Sequence, residues 1–300
     1  MLRRTFLSLT AALAPLMALP ALAQQSDQPA QGAAMLPAPS KSGYAPVNGV
    51  ELYYAVYGQG EPLVLLHGGL MNMEMFGPVL TKLAETRQVI GVDLQAHGRT
   101  LPFDRPMSFT TLATDIAELI KWLGFEKADV MGYSFGGITA LRTAIDHPEV
   151  VDKLIVVSAP FAYSGWHDYN AEGMRQMGAH LAEGMMGTPI HEAYAAVAPD
   201  KENFPKLLEQ MGSMIGNDYD WSAEIPTITA PTLLVVGDYD AVRISHATAF
   251  FELLGGGKVD GGWDGSGMTA NRFAVIPSVT HYAIGTDLRL ADAAIGFLDN

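Results

Sequence analysis

"VMGYSFGG", residues 130–137, ends an apolar run on a serine, with glycines two positions before it and two and three after it. "ADVM" upstream reads as a buried strand and "GITALRTAI" downstream as a helix, so Ser134 stands at a sharp strand-to-helix turn. A residue at such a turn is forced toward strained backbone angles. Its neighbours at minus two and plus two must be small, because strand and helix approach each other there. The hydroxyl then projects above the C-terminal edge of the sheet, where the free N–H groups of the helix N-terminus also point. This is the G-x-S-x-G nucleophile elbow. The plainer reading is a serine N-cap on a glycine-bounded turn; the flanking strand and helix favour the elbow.

Working outward, the same alternation recurs. "GYAPVNGVELYYAVYG" reads as two strands around an Asn48-Gly49 turn. "PLVLLHGG", "QVIGVDLQAHG", "DKLIVVSAP", "PTLLVVGD" and "RFAVIP" read as further strands. "FTTLATDIAELIKWLGF" carries helical spacing at Leu112, Ile116, Leu119 and Leu123. Continuous Val/Leu/Ile runs between amphipathic helices indicate an α/β fold, with a mostly parallel sheet flanked by helices on both faces. Residues 161–229 break the pattern. They hold no convincing strand and many Met and aromatic residues, and they read as a helical cap inserted before a late strand. Residues 255–267, "GGGKVDGGWDGSG", read as a Gly-rich surface loop; Asp260 and Asp264 lack the spacing of a calcium loop.

The totals narrow the function. A chain of 300 residues with 49% apolar and 17% charged residues suits a soluble globular protein. A formal charge of −14 argues against nucleic acid as partner. The absence of cysteine excludes disulfides, a thiol nucleophile and thiolate metal sites. No metal and no cofactor is expected. "MLRRTFLSLTAALAPLMALPALAQQ" has a basic start, an apolar stretch and a small-x-small pattern before Gln24. It reads as a signal peptide over 1–23, implying an exported protein, periplasmic or secreted, with no stable membrane insertion once the signal is removed. Residues 24–42, rich in Gln, Pro, Ala and Ser, read as a disordered linker, with order beginning near Gly43. The core is then expected over 43–160 and 230–300.

From Gly43 onward the chain resembles the α/β-hydrolase family. Besides the elbow, "LLHGG" resembles the family's oxyanion-hole loop, "LLVVGDYDAV" its acid-bearing turn and "IPSVTHYAI" its histidine loop. The chain order Ser, Asp, His agrees with the family. The resemblance implies Ser134 as nucleophile, His281 as the base and Asp240 as the acid, with Asp238 the competing carboxylate. It implies the backbone amides of Phe135 and Gly69 as oxyanion donors, with Leu70 the alternative to Gly69. A serine hydroxyl needs such a base within hydrogen-bond reach, and the developing oxyanion needs such donors.

The expected activity is hydrolysis of a carboxylic ester or lactone, a small-molecule substrate, by a serine esterase. Within this fold a serine at the elbow excludes the usual epoxide-hydrolase and haloalkane-dehalogenase routes, which use an aspartate there. A cofactor-free haloperoxidase or perhydrolase and a carbon–carbon bond hydrolase share the same three residues. A ligand-binding protein of the same fold is the non-catalytic alternative. The set "DLQAHGRT", "MGYSFGG", "DYDWSAEI" and "THY" resembles a bacterial esterase subgroup that includes enzymes opening macrolide rings. The Met- and aromatic-rich cap suits a bulky apolar substrate. Leu70, Tyr133, Phe161, Trp166 and Tyr169 are the expected pocket residues.

Overall fold

The computed structural model describes residues 36–101 and 104–300. The expected signal peptide and most of the expected linker lie outside the described residues. Eight strands form one sheet: β1 (Lys41–Val47), β2 (Val50–Tyr57), β3 (Pro62–Leu66), β4 (Gln88–Val92), β5 (Ala128–Tyr133), β6 (Val151–Val157), β7 (Thr232–Tyr239) and β8 (Arg272–Thr280). Their order is β1-β2-β4-β3-β5-β6-β7-β8. The pairs β1–β2 and β2–β4 are antiparallel, and every pair from β4 to β8 is parallel. The first hairpin turns at Asn48 and Gly49, whose φ values are 46° and 80°, as a two-residue turn with both φ positive requires. Strand β1 starts at Lys41, ahead of the expected Gly43. Ser40 already donates its N–H and its hydroxyl to Val56 O, at 2.8 and 3.1 Å.

Helices α1 (Pro78–Leu83), α2 (Phe109–Trp122) and α3 (Phe135–Asp146) follow β3, β4 and β5. Four short helices lie between β6 and β7: α4 (Asp168–Arg175), α5 (Ala182–Met185), α6 (Pro189–Ala195) and α7 (Phe204–Ile215). The last three are α8 (Ile244–Leu253), α9 (His281–Ile284) and α10 (Leu288–Leu298).

The unbroken apolar strands are explained by burial on both faces. Along β3, Val64 and Leu66 pack with α2 and α3, whereas Leu63 and Leu65 pack with α1 and α10. The same division holds on β5, where Val130 joins the first cluster and Met131 the second. Each fully buried side chain of this kind stabilises the fold by about 1.5–3 kcal/mol. Helix α2 starts where Ser108 Oγ accepts the Thr111 N–H at 3.0 Å. It turns Leu112, Ile116 and Leu119 fully inward, with Leu123 packed at the margin. With β3 and β5 to β8 parallel, their C-terminal ends share one edge, and Gly69, Leu70, Ser134, Phe135, Asp240 and His281 lie just beyond it.

Candidate active site

Ser134 directly follows β5 and has φ 52° and ψ −116°, a left-handed conformation rare for a residue with a side chain. The strain is held by what surrounds it. Ser134 N–H donates to Val157 O at 2.8 Å, and its carbonyl accepts the Ile138 N–H at 2.9 Å inside α3. A Cβ on Gly132 would collide with Gly136 O, and one on Gly136 with the carbonyl oxygens of Leu66 and His67. Strand, helix and the loop after β3 therefore meet at distances only glycine permits, as the pattern of residues 130–137 requires.

Two strand ends bring the remaining pair together. Tyr239 of β7 is in register with Thr280 of β8, so the next residues, Asp240 and His281, come side by side. His281 Nδ1 lies 2.8 Å from Asp240 Oδ1, and His281 Nε2 lies 3.1 Å from Ser134 Oγ. The geometry fits an Nδ1–H donating to the carboxylate, which leaves Nε2 as acceptor for the serine hydroxyl. Asp240 is further fixed by three donors: Val242 N–H to Oδ1 at 3.1 Å, Gly237 N–H to Oδ2 at 3.0 Å and Ser158 Oγ–H to Oδ2 at 2.5 Å. Burial pushes this carboxyl's pKa up, but the bond to and charge of His281, with the Ser158 and Gly237 bonds, outweigh it and hold the group below the ordinary carboxylate value. The competing Asp238 is exposed and accepts the Val279 N–H at 3.0 Å, which braces β7 against β8 and leaves it without a bond to His281.

The loop after β3 lies against the start of α3. A Cβ at Gly69 would stand 3.6 Å from the Phe135 Cβ and 2.8 Å from the Met211 methyl of α7. As the first residue of α3, Phe135 has no helical acceptor for its N–H. Leu70 is buried, with φ 62°. Behind the loop, His67 bonds Gly68 O through Nδ1 at 2.7 Å and accepts the Leu94 N–H on Nε2 at 3.0 Å. Complete burial lowers its pKa to about 4, so it is neutral and serves the loop's shape. His97 packs beside it at 5.1 Å between ring centroids, and burial lowers its pKa to about 3.

The expected pocket residues divide. Trp166 stands edge-on to the His281 ring at 5.7 Å and is held by an isolated bridge to Val242, two residues after Asp240. Tyr169 is exposed on α4, and its neighbour Asn170 donates to the Tyr282 hydroxyl at 3.3 Å. Phe161 is taken up by packing: its ring stacks on His246 at 3.9 Å and meets Phe250 of α8 edge-on at 5.3 Å. Tyr133 sits behind the site, where its hydroxyl donates to His281 O at 2.8 Å and its ring lies 5.2 Å from the imidazole. Since Tyr133 belongs to β5, the strand that carries Ser134, this bond ties serine and histidine to one support. Sequence reasoning missed Ser158 and this use of Tyr133. Both depend on strand order and register, which no local pattern encodes. Asp260 and Asp264 accept the N–H groups of Gly262 and Ser266 and so cap turns within their own loop.

A doubly covered parallel sheet, a strained serine between β5 and α3, and an Asp–His pair after β7 and β8 define the α/β-hydrolase fold. Comparison with known proteins agrees. The model of the alpha/beta hydrolase fold family matches residues 61–194 of the chain. It is 36% identical over 116 residues to a soluble epoxide hydrolase of Corynebacterium sp. (strain C12), which is 38% of this chain and 40% of that protein. It is 27% identical over 274 residues to a 2-hydroxy-6-oxo-6-(2'-aminophenyl)hexa-2,4-dienoic acid hydrolase of Metapseudomonas resinovorans, covering 83% of this chain and 88% of the other. A solved thermophilic esterase from Thermogutta terrifontis, with malate bound, aligns with a TM-score of 0.67 at 20% identity, covering 87% of this chain and 98% of that one. At that identity the likeness is one of fold.

Proposed function

We propose that this protein is a serine hydrolase that cleaves a carboxylic ester or lactone through an acyl-enzyme on Ser134. The observation that carries the reading is the unbroken chain from Ser134 Oγ through His281 to Asp240, with contacts of 3.1 and 2.8 Å. In this reading Nε2 takes the serine proton as Oγ attacks the carbonyl carbon, and Asp240 stabilises the imidazolium. The N–H groups of Phe135 and Gly69, or Leu70 in place of Gly69, receive the oxyanion. The imidazolium returns the proton to the departing alkoxide, and a water activated by Nε2 then releases the acid. The aspartyl-ester routes of epoxide hydrolases and haloalkane dehalogenases have no carboxylate to use at position 134. Trp166, next to His281, and a cap with many methionines and aromatics support a bulky apolar acyl or alcohol group, such as a macrolactone.

A carbon–carbon bond hydrolase is the second reading, favoured by the similarity to the dienoic acid hydrolase across 83% of the chain. The same three side chains would serve it. Export from the cytoplasm, read from residues 1–23, belongs to the proposal and would place the substrate outside the cell membrane. A chromogenic short-chain ester, assayed with the parent and Ser134→Ala, tests the main reading. Turnover by the parent and its loss in the variant are expected, by about 10⁴-fold or more for groups acting as a unit. Equal hydrolysis by both proteins sinks the reading. A panel of esters, lactones and a vinylogous 1,5-diketone then separates ester from carbon–carbon cleavage.

A further inference from the structure

We infer that Ser158 is a positioning residue of the same site, whose hydroxyl locks the Asp240 carboxylate in the rotation that serves His281. The inference rests on the serine-hydrolase reading above and adds a fourth side chain to it. Ser158 directly follows β6, as Ser134 follows β5 and Asp240 follows β7. Registers Tyr133↔Val157 and Val157↔Val235 set these strand ends side by side. Ser158 N–H donates to Val235 O at 2.8 Å, and its hydroxyl donates to Asp240 Oδ2 at 2.5 Å.

Three observations make this more than an incidental contact. First, the four donors on Asp240 divide two and two: His281 and Val242 on Oδ1, Gly237 and Ser158 on Oδ2. An ionised carboxylate offers about four lone-pair positions, so the acid is saturated. Secondly, Ser158 is fully buried and so is the Asp240 side chain, so bulk solvent has no access to replace a lost donor. Thirdly, Ser158 holds φ at 51°, a left-handed value that glycine adopts far more readily. The backbone alone would be better served by glycine; the hydroxyl is what serine adds. Without it, Oδ2 keeps one donor, and the carboxylate is free to rotate away from the bond that sets the imidazole tautomer. Charge-assisted bonds of this kind are the strong ones, so the effect falls on turnover.

The test compares Ser158→Gly and Ser158→Ala with the parent and with Ser134→Ala on a fluorogenic short-chain ester. Both substitutions remove the hydroxyl, but only alanine keeps a side chain in the left-handed conformation. The expected result is a fall in kcat of about tenfold for both, with KM within about twofold because Ser158 touches no substrate. In an Asp240→Asn background, Ser158→Gly is expected to lower kcat by clearly less than it does in the parent, since the two groups are coupled. A parent-like kcat for Ser158→Gly overturns the inference, as does a loss that is fully additive with Asp240→Asn. A thermal midpoint for each variant shows that the protein measured is folded. If the parent shows no Ser134-dependent hydrolysis at all, it is the underlying reading that falls. If the parent is active and Ser158→Gly matches it, only the positioning role falls.

Discussion

Asp240→Asn isolates the electrostatic half of the site, and the structure says what it should do. The carboxylate accepts four bonds, at 2.8, 3.1, 3.0 and 2.5 Å. An amide of the same shape has one oxygen and one NH2 group. With its oxygen toward His281, the NH2 faces the Gly237 N–H, and only the Ser158 hydroxyl can turn to accept from it. With the amide flipped, the NH2 faces the Val242 N–H and forces the imidazole into the tautomer that has no lone pair on Nε2. Either way one buried backbone donor is opposed, at a cost of about 1–3 kcal/mol. That corresponds to a fall in thermal midpoint of about 2–12 °C for a domain of this size. Loss of the negative charge also removes the stabilisation of the imidazolium, for which a fall in kcat on the order of 10⁴ is expected. Asp238→Asn is the control: its carboxylate is exposed and bonded to Val279 N–H, so less than about a tenfold change is expected. Steady-state kinetics on one ester, with calorimetry of both variants, reads all of these. A kcat for Asp240→Asn within tenfold of the parent, or a larger loss at Asp238, would refute the assignment.

Three further outcomes follow from the packing. Gly136→Ala drives a Cβ into the carbonyl oxygens of Leu66 and His67, so insolubility or a destabilisation of about 3 kcal/mol or more is expected by thermal melting; a parent-like melt contradicts the close approach at the elbow. Burial lowers His97 and His67 from 6.5 to about 3 and about 4, so the unfolded chain binds protons that the folded chain refuses. Their contribution to stability is therefore complete above about pH 6.5 and lost as pH falls toward 4 and 3. The slope of melting temperature against pH should accordingly be shallower in His97→Gln; an unchanged slope contradicts this reading. Trp166→Phe and Tyr169→Ala should raise KM for bulky esters by severalfold while leaving short-chain esters within about twofold; equal effects on both classes would remove these residues from substrate binding.

Much of the fold was legible because its cause is local. An apolar run of strand length between helical patterns already says that both faces are covered, and β3 with Leu63 to Leu66 fully buried is that case. The elbow was legible for a steric reason, since glycine at 132 and 136 is demanded by backbone contacts that a sequence pattern can carry. Ser134, His281 and Asp240 came from the motif and the chain order, and their meeting needed only the parallel strand order. The pocket was not legible. Phe161 and Trp166 are both aromatics in the segment after β6, yet one stacks on His246 and the other stands against His281. That difference is set by how the segment after β6 crosses the chain after β7, through bridges such as Trp166 to Val242, and periodicity says nothing of it. Ser158 was hidden for the same reason: "VVSAP" reads as a strand end until the register puts its hydroxyl on Asp240.

Covalent trapping tests the central claim most directly. A fluorophosphonate ester reacts with a serine whose hydroxyl is activated by a neighbouring imidazole and phosphonylates it. Intact-protein mass spectrometry with peptide mapping should find a single adduct on Ser134, formed in step with loss of ester hydrolysis and absent from His281→Ala. Full hydrolytic activity in a protein whose adduct sits on another residue, or which takes up no adduct, would contradict the account.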